Sequence, residues 1–302
     1  MSLSSCCPLT GDAGRLIRRR DASELARSYA SYLGAPLPPE TAAKYLKAPI
    51  SEYYLESSGL RWYAPSDLGD GDYYATLASL YSWYYNPGSW DKLTALGLLA
   101  DAGAKDVAEI GSGSGWLLGQ LRDQGIGAFG VEINAQEVKR SRDQGLAVFF
   151  PEEIAAVLPK CDWLCLLQTI EHVDDPAGFL GGYIQQLDPR SLNLSAPCFE
   201  SLLGHTSDPL SWPPHHATAW SERAFRTLGN IVGYRVTSTS YSPLSFQDFE
   251  EKLKREGSRK LFGLPYIPNG RLGRYMFELA KALRRPWACR GHSILVVMEK
   301  IN

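Results

Sequence analysis

The chain reads as a doubly wound α/β domain. Three observations predict it. Strand-length apolar segments alternate with helical patterns through the middle of the chain, one of those segments is apolar almost throughout, and a glycine-rich turn joins the first strand to a helix. That first strand is Val107 to Ile110, and it runs into Gly111, Gly113 and Gly115. A helix with Leu117, Leu118 and Leu121 follows. Glycines at such a turn let the backbone approach a ligand closely, and a helix N-terminus presents unpaired N–H groups. Together they predict a nucleotide-type cofactor site.

The other elements follow in order. A helical pattern over Trp90 to Ala102 leads into the first strand, and Trp116 to Gln124 follows the glycine turn. Gly127 to Ile133 is the second strand and delivers Glu132 at its end. A carboxylate about 20 positions past the loop can accept the ribose hydroxyls of an adenosine. The loop spells G-x-G-x-G with Trp116 where the pyrophosphate-binding pattern has its last glycine, which favours a cofactor without a pyrophosphate. Ala135 to Gln144 is a charged surface helix, and Leu146 to Phe150 a short third strand. Asp162 to Gln168 is nearly continuous apolar sequence, as a strand covered on both faces requires. Pro176 to Leu187 is a helix, Ser191 to Ala196 a fifth strand, Glu222 to Asn230 a helix and Tyr234 to Tyr241 a sixth strand. Ser293 to Lys300 closes the sheet.

At this point the chain resembles the class I S-adenosylmethionine-dependent methyltransferases. The matching residues are Glu109-Ile110-Gly111-Ser112-Gly113-Ser114-Gly115, Glu132, and Gln168-Thr169-Ile170-Glu171-His172-Val173-Asp174-Asp175-Pro176. Trp212-Pro213-Pro214-His215-His216 looks like the branch that holds ubiquinone-type O-methyltransferases and enzymes of polysaccharide and secondary-metabolite clusters. The resemblance implies a mostly parallel, seven-stranded, Rossmann-like methyltransferase sheet and S-adenosyl-L-methionine as cofactor. It places Glu109, Gly111, Ser112, Gly113, Gly115, Glu132, Ile133, Gln168 and Thr169 around that cofactor. It implies methyl transfer to a small-molecule or glycan acceptor, with an oxygen of a sugar or secondary metabolite first. Sugar C- or N-methylation, or a cofactor-binding partner subunit without catalysis, are the alternatives.

The same resemblance divides the chain into an N-terminal extension (1–90), a cofactor-binding core (91–241), a basic helical insertion (242–290) and a last core strand (291–302). Members of this branch often begin with a zinc ribbon of two Cys-x-x-Cys-Gly knuckles. Here Cys7-Pro8-Leu9-Thr10-Gly11 has Thr10 for the second cysteine, and Leu55-Glu56-Ser57-Ser58-Gly59 has neither. A structural zinc site needs four soft or imidazole ligands, so a degenerate, metal-free ribbon is expected, with a helical insert over Ala22 to Leu46. In the aromatic connector that follows, Tyr84 and Tyr85 either pack a cover onto the sheet or close over the methionine end of the cofactor, where a sulfonium gains from an aromatic face.

Methyl transfer to a hydroxyl needs alignment and removal of one proton. His172, after the fourth strand, and His215 with His216, beyond the fifth, are the candidate bases. His172 could equally shape its loop, and the pair could sit in a plain proline-led turn. No metal site is assigned, although Glu171 with the three histidines has donors suited to a divalent ion. His205 and His292 receive no role.

Composition agrees with a soluble enzyme. The chain has 302 residues, 44% hydrophobic and 21% charged, with net charge −2 and no bias towards nucleic acid. No apolar run reaches the roughly 18 residues of a membrane span, and six scattered cysteines fit reduced thiols and a cytoplasmic location. Within 252–290 eleven Lys and Arg face only Glu256 and Glu278, and Leu272 to Trp287 carries Tyr275, Met276, Leu279 and Leu283 at helical spacing. A basic amphipathic helix either packs with a solvated charged face, holds an anionic acceptor, or touches a membrane surface.

Overall fold

Side-chain alternation along the core strands sets up the two layers that enclose the sheet. In a computed structural model, which describes residues 5–85, 87–157, 160–201, 208–246, 249–250, 271–283 and 289–301, the strands are β1 (Arg15–Arg20), β2 (Ile50–Leu55), β3 (Leu60–Ala64), β4 (Asp106–Ile110), β5 (Gly127–Val131), β6 (Val148–Phe149), β7 (Trp163–Leu167), β8 (Ser191–Pro197), β9 (Thr218–Ala219), β10 (Tyr234–Tyr241) and β11 (Ser293–Lys300). Leu164 and Leu166 of β7 point into one layer with Ala108, Ile110, Leu192 and Leu194. Cys165 and Leu167 point into the other with Val107, Leu295 and Val297. Both sets are buried, so β7 has no polar face to spare, and each such side chain contributes roughly 1.5–3 kcal/mol by leaving water.

The central sheet has seven strands in the order β10-β11-β8-β7-β4-β5-β6. β8, β7, β4, β5 and β6 run parallel, while β11 pairs antiparallel with both β8 and β10. The helices Trp90–Asp101 and Trp116–Asp123 cover one face, and Pro176–Leu187 with Glu222–Val232 cover the other. This is the expected Rossmann-like methyltransferase sheet. The helix Pro176–Leu187 and strands β10 and β11 begin and end where the sequence puts them.

The N-terminal extension holds more strand than its sequence announces. β1, β2 and β3 form an antiparallel sheet, and its fourth strand is β9, drawn from the core segment. The expected helical insert is present as Ala22–Ser28, Tyr29–Leu33 and Pro39–Tyr45. The two knuckle-like turns have the same shape. The Gly11 N–H donates to the Cys7 carbonyl and the Gly59 N–H to the Leu55 carbonyl, each glycine with positive φ. They meet where the buried Cys7 Sγ donates to Ser58 Oγ at 3.5 Å.

The basic insertion falls largely outside the described residues. Its helix is Arg271–Ala282, which buries Phe277 and Ala280 and leaves Tyr275, Leu279 and Leu283 exposed. Among the described residues no helix is long and apolar enough to cross a membrane.

Candidate active site

The chain reverses direction across the sheet between β6 and β7, so the crevice beyond β4 and β7 is the switch point where open α/β sheets take ligands. The glycine turn after β4 is held by Gly111 and Ser112 N–H groups donating to the Val131 carbonyl at 2.8 and 3.1 Å. Gly111 has φ +75°, and a Cβ there would lie 2.4 Å from Thr169 Oγ1. Only glycine lets the two strand ends approach this closely.

Glu132 lies just past β5 and is nearly buried. One carboxylate oxygen accepts from the Gly113 N–H at 2.8 Å, and the other from Ile133 and Asn134 at 2.9 and 2.8 Å. Burial raises its pKa, and the three N–H donors oppose that rise. Glu132, Ile133, Thr169, Phe179 and Tyr183 line a cavity of about 270 Å³. Ser112, Gly115 and Glu109 line neither this cavity nor the next. Ser112 is buried against Gly130, and Gly115 sits against Ser141 and Leu146. Glu109 is fully buried with both carboxyl oxygens lacking a hydrogen-bond partner, and burial pushes its pKa up to about 7.

A second cavity of about 340 Å³ adjoins the first. Gly111, Gln168, His172, Tyr84 and Tyr85 line both. Tyr85 lies over Gly113, and its hydroxyl accepts from Asn134 Nδ2 at 3.1 Å. Gln168 holds a left-handed backbone, φ 54°, at the tip of β7. Its Nε2 donates to Ser195 Oγ, which in turn donates to Asp91 Oδ2. Strained backbone at a cavity wall persists where the surroundings fix it, and here a buried hydrogen-bond chain does so.

His172, His215 and His216 converge on this second cavity. His172 ends the helical turn Ile170–His172 after β7. His215 and His216 stand on a turn in which both of their N–H groups donate to the Trp212 carbonyl. Trp212 is fully buried beneath the guanidinium groups of Arg18 and Arg20, and the Ala217 N–H ties the turn to the Glu171 carbonyl at 2.8 Å. His172 Nδ1 lies 2.6 Å from the His215 carbonyl. A carbonyl only accepts, so Nδ1 carries the proton and Nε2 keeps a lone pair. Burial lowers His172 to about 4, and burial plus neighbouring imidazoles hold His215 and His216 well below the ordinary imidazole range too. All three are neutral near neutral pH and can accept a proton, though as weaker bases than a solvated imidazole.

Several residues that line or brace the cavities carry no motif in the sequence. Asp91 and Lys92 occupy the first turn of an ordinary amphipathic helix, and Ser195 lies inside a buried strand. Tyr74, edge-on to His172, is one tyrosine among many. Asn134 could have been found as the N-cap of Ala135–Asp143, where its side chain accepts from the Gln136 N–H. His292, given no role, also lines the second cavity, and His205 lies outside the described residues.

Comparison with known proteins follows this geometry. The family model described as a methyltransferase domain matches residues 82–239, just over half of the chain. A S-adenosylmethionine-dependent methyltransferase from Archaeoglobus fulgidus is similar in structure, with TM-score 0.50 and 17% identity over 74% of this chain and 99% of that one. A Haloferax volcanii methyltransferase, solved with the Trm112 methyltransferase activator, has TM-score 0.50 and 16% identity over 78% of this chain and 100% of that one. No curated protein matches the sequence.

Proposed function

Because the chain belongs to the methyltransferase-domain family, we propose that it moves the methyl group of S-adenosylmethionine to an oxygen of a small-molecule or glycan acceptor. S-adenosylmethionine is the cofactor of this family, and when bound it supplies a methyl group already activated on a sulfonium. The observation that carries the reading is the pair of cavities joined at Gly111, Gln168, His172, Tyr84 and Tyr85.

The Glu132 half suits the adenosine. Its carboxylate offers about four acceptor directions, of which three are used by backbone, and Ile133 and Phe179 supply apolar walls for a base. The shared rim would hold the methionine end, with Gln168 and Thr169 on one side and the faces of Tyr84 and Tyr85 on the other. The histidine half suits the acceptor. A hydroxyl there would pass its proton to a neutral imidazole as its oxygen takes the methyl group, and the tautomer set by the His215 carbonyl puts a lone pair on His172 Nε2 for this. Lys92 in the same wall, with the exposed Arg271 and Arg274 of the insertion, favours an acceptor that carries negative charge, and the exposed Tyr275, Leu279 and Leu283 favour contact with an anionic membrane surface.

Calorimetric titration with S-adenosylmethionine and S-adenosylhomocysteine tests the reading. Both should bind, NAD should not, and Glu132→Ala should weaken both by about 10- to 100-fold, the worth of hydrogen bonds to a charged acceptor. A wild-type chain that binds neither is not a methyltransferase. Binding of both with no transfer to any sugar, phenol or glycan would favour the partner-subunit alternative.

A further inference from the structure

We propose that His172, His215 and His216 form a binding site for a divalent transition metal of the zinc class. One ring nitrogen from each residue lies within 4.8 Å of the others. Zinc–imidazole bonds of about 2.1 Å at tetrahedral angles hold ligand nitrogens about 3.4 Å apart and ring centres about 5 Å apart. The ring centres here are 4.6, 4.6 and 5.0 Å apart, so closure needs ring rotation with little backbone movement.

Three further observations point to a cation. His215 is nine-tenths buried, and its Nδ1 has no hydrogen-bond partner. A buried lone pair or N–H left so is costly, and a metal ion is the partner that three clustered imidazoles can share. His172 Nδ1–H donates to a backbone carbonyl, the orienting bond that metal-ligating histidines make, and this leaves Nε2 to ligate. Glu171, whose Oε2 is also buried without a partner, lines the same cavity. The rings of Tyr73, Tyr74 and Tyr84 surround His215 and limit water access.

An all-imidazole donor set suits zinc, cobalt, nickel or copper ions and disfavours magnesium and calcium, which take oxygen ligands. Three protein ligands also leave one tetrahedral position open, the pattern of catalytic rather than structural zinc. That this position receives an acceptor hydroxyl rests on the function proposed above. The metal site itself does not. With the metal bound, His172 Nε2 would be a ligand and no longer the base, and the metal would instead acidify the hydroxyl so that its proton leaves to solvent.

The test uses the full chain, stripped with chelator and titrated with Co²⁺ while the visible spectrum is recorded. One Co²⁺ per chain should bind, with the intense d–d absorption of a tetrahedral site and no thiolate charge-transfer band, and Zn²⁺ should displace it. His215→Ala and His216→Ala should each weaken binding by at least about 100-fold, above the loss typical for an orienting neighbour. Should alanine unfold the turn, as far-UV circular dichroism would reveal, His216→Phe keeps an aromatic ring in place without its nitrogens. No Co²⁺ bound by the wild type, a thiolate band, or binding that survives the histidine variants overturns the site. Titrating the same sample with S-adenosylmethionine separates the two proposals. Lost cofactor binding removes the methyltransferase reading alone, and absent Co²⁺ with intact cofactor binding removes the metal alone.

Discussion

At the scale of single residues, the most consequential group that touches neither cavity is Glu109. It sits on the β4 face otherwise filled by Val107, Cys165 and Leu167, with both oxygens unpartnered. Burial raises its pKa to about 7, against roughly 4.3 in the unfolded chain. Between these values the folded state holds a proton that the unfolded state has released, so stability falls as pH rises through that window and stays lowered above it. Glu109→Gln removes the titration. Unfolding free energies from urea titrations near pH 5 and near pH 8 should differ less in the variant than in the wild type, by a few kcal/mol at most. An unchanged difference would mean that Glu109 is ionised throughout. Gly111 makes a sharper demand. With φ +75° and Thr169 Oγ1 2.4 Å from its would-be Cβ, Gly111→Ala should cost several-fold in cofactor affinity even where the protein still folds. Isothermal titration on the folded fraction checks this.

At the scale of elements, the aromatic helix Gly71–Leu80 depends on one cap. Asp70 accepts from the Tyr73 N–H, from Tyr45 Oη and from Lys44 Nζ. Partial burial acts to raise its pKa, but these partners outweigh burial and bring it to about 2. The stabilisation is therefore complete above the unfolded value of about 3.9 and fades as pH falls towards 2. Asp70→Ala should cost about 1 kcal/mol at neutral pH and little at about pH 2, as thermal melts would show. The core elements were legible because each carries its own period. Trp163 to Leu167 is apolar throughout, and Tyr234 to Tyr241 alternates. β1 carries no such signal. Its arginines are held by partners far along the chain, Arg18 by Glu52 and Arg19 by Ser51. β9 is two residues long, too short for any pattern. The candidate site divides the same way. Its glycines, Glu132 and the histidines stand in motifs, whereas Asp91 and Lys92 reach the cavity wall, and Ser195 braces Gln168 behind it, through packing that joins distant segments.

At the scale of the whole molecule, Trp212 joins the two sheets. It is fully buried, packs at a tilt against Tyr63 of β3, lies under Arg18 and Arg20, and starts the turn that bears His215 and His216. Trp212→Ala should cost about 3–5 kcal/mol and lower the melting temperature by on the order of 10 °C. It should also disturb the histidine turn, visible as shifted imidazole resonances, while the β4 turn and Glu132 keep theirs. The pairing of β3 with β9 has a further consequence during synthesis. Arg61 and Trp62 leave the ribosome long before Thr218 and Ala219, their partners, exist. Until then β3 presents an open edge, and the first sheet cannot close as a separately folding unit. The order of translation thus makes the histidine turn and the amino-terminal sheet mature together, late, after the strands bearing the glycine turn and Glu132 have been made.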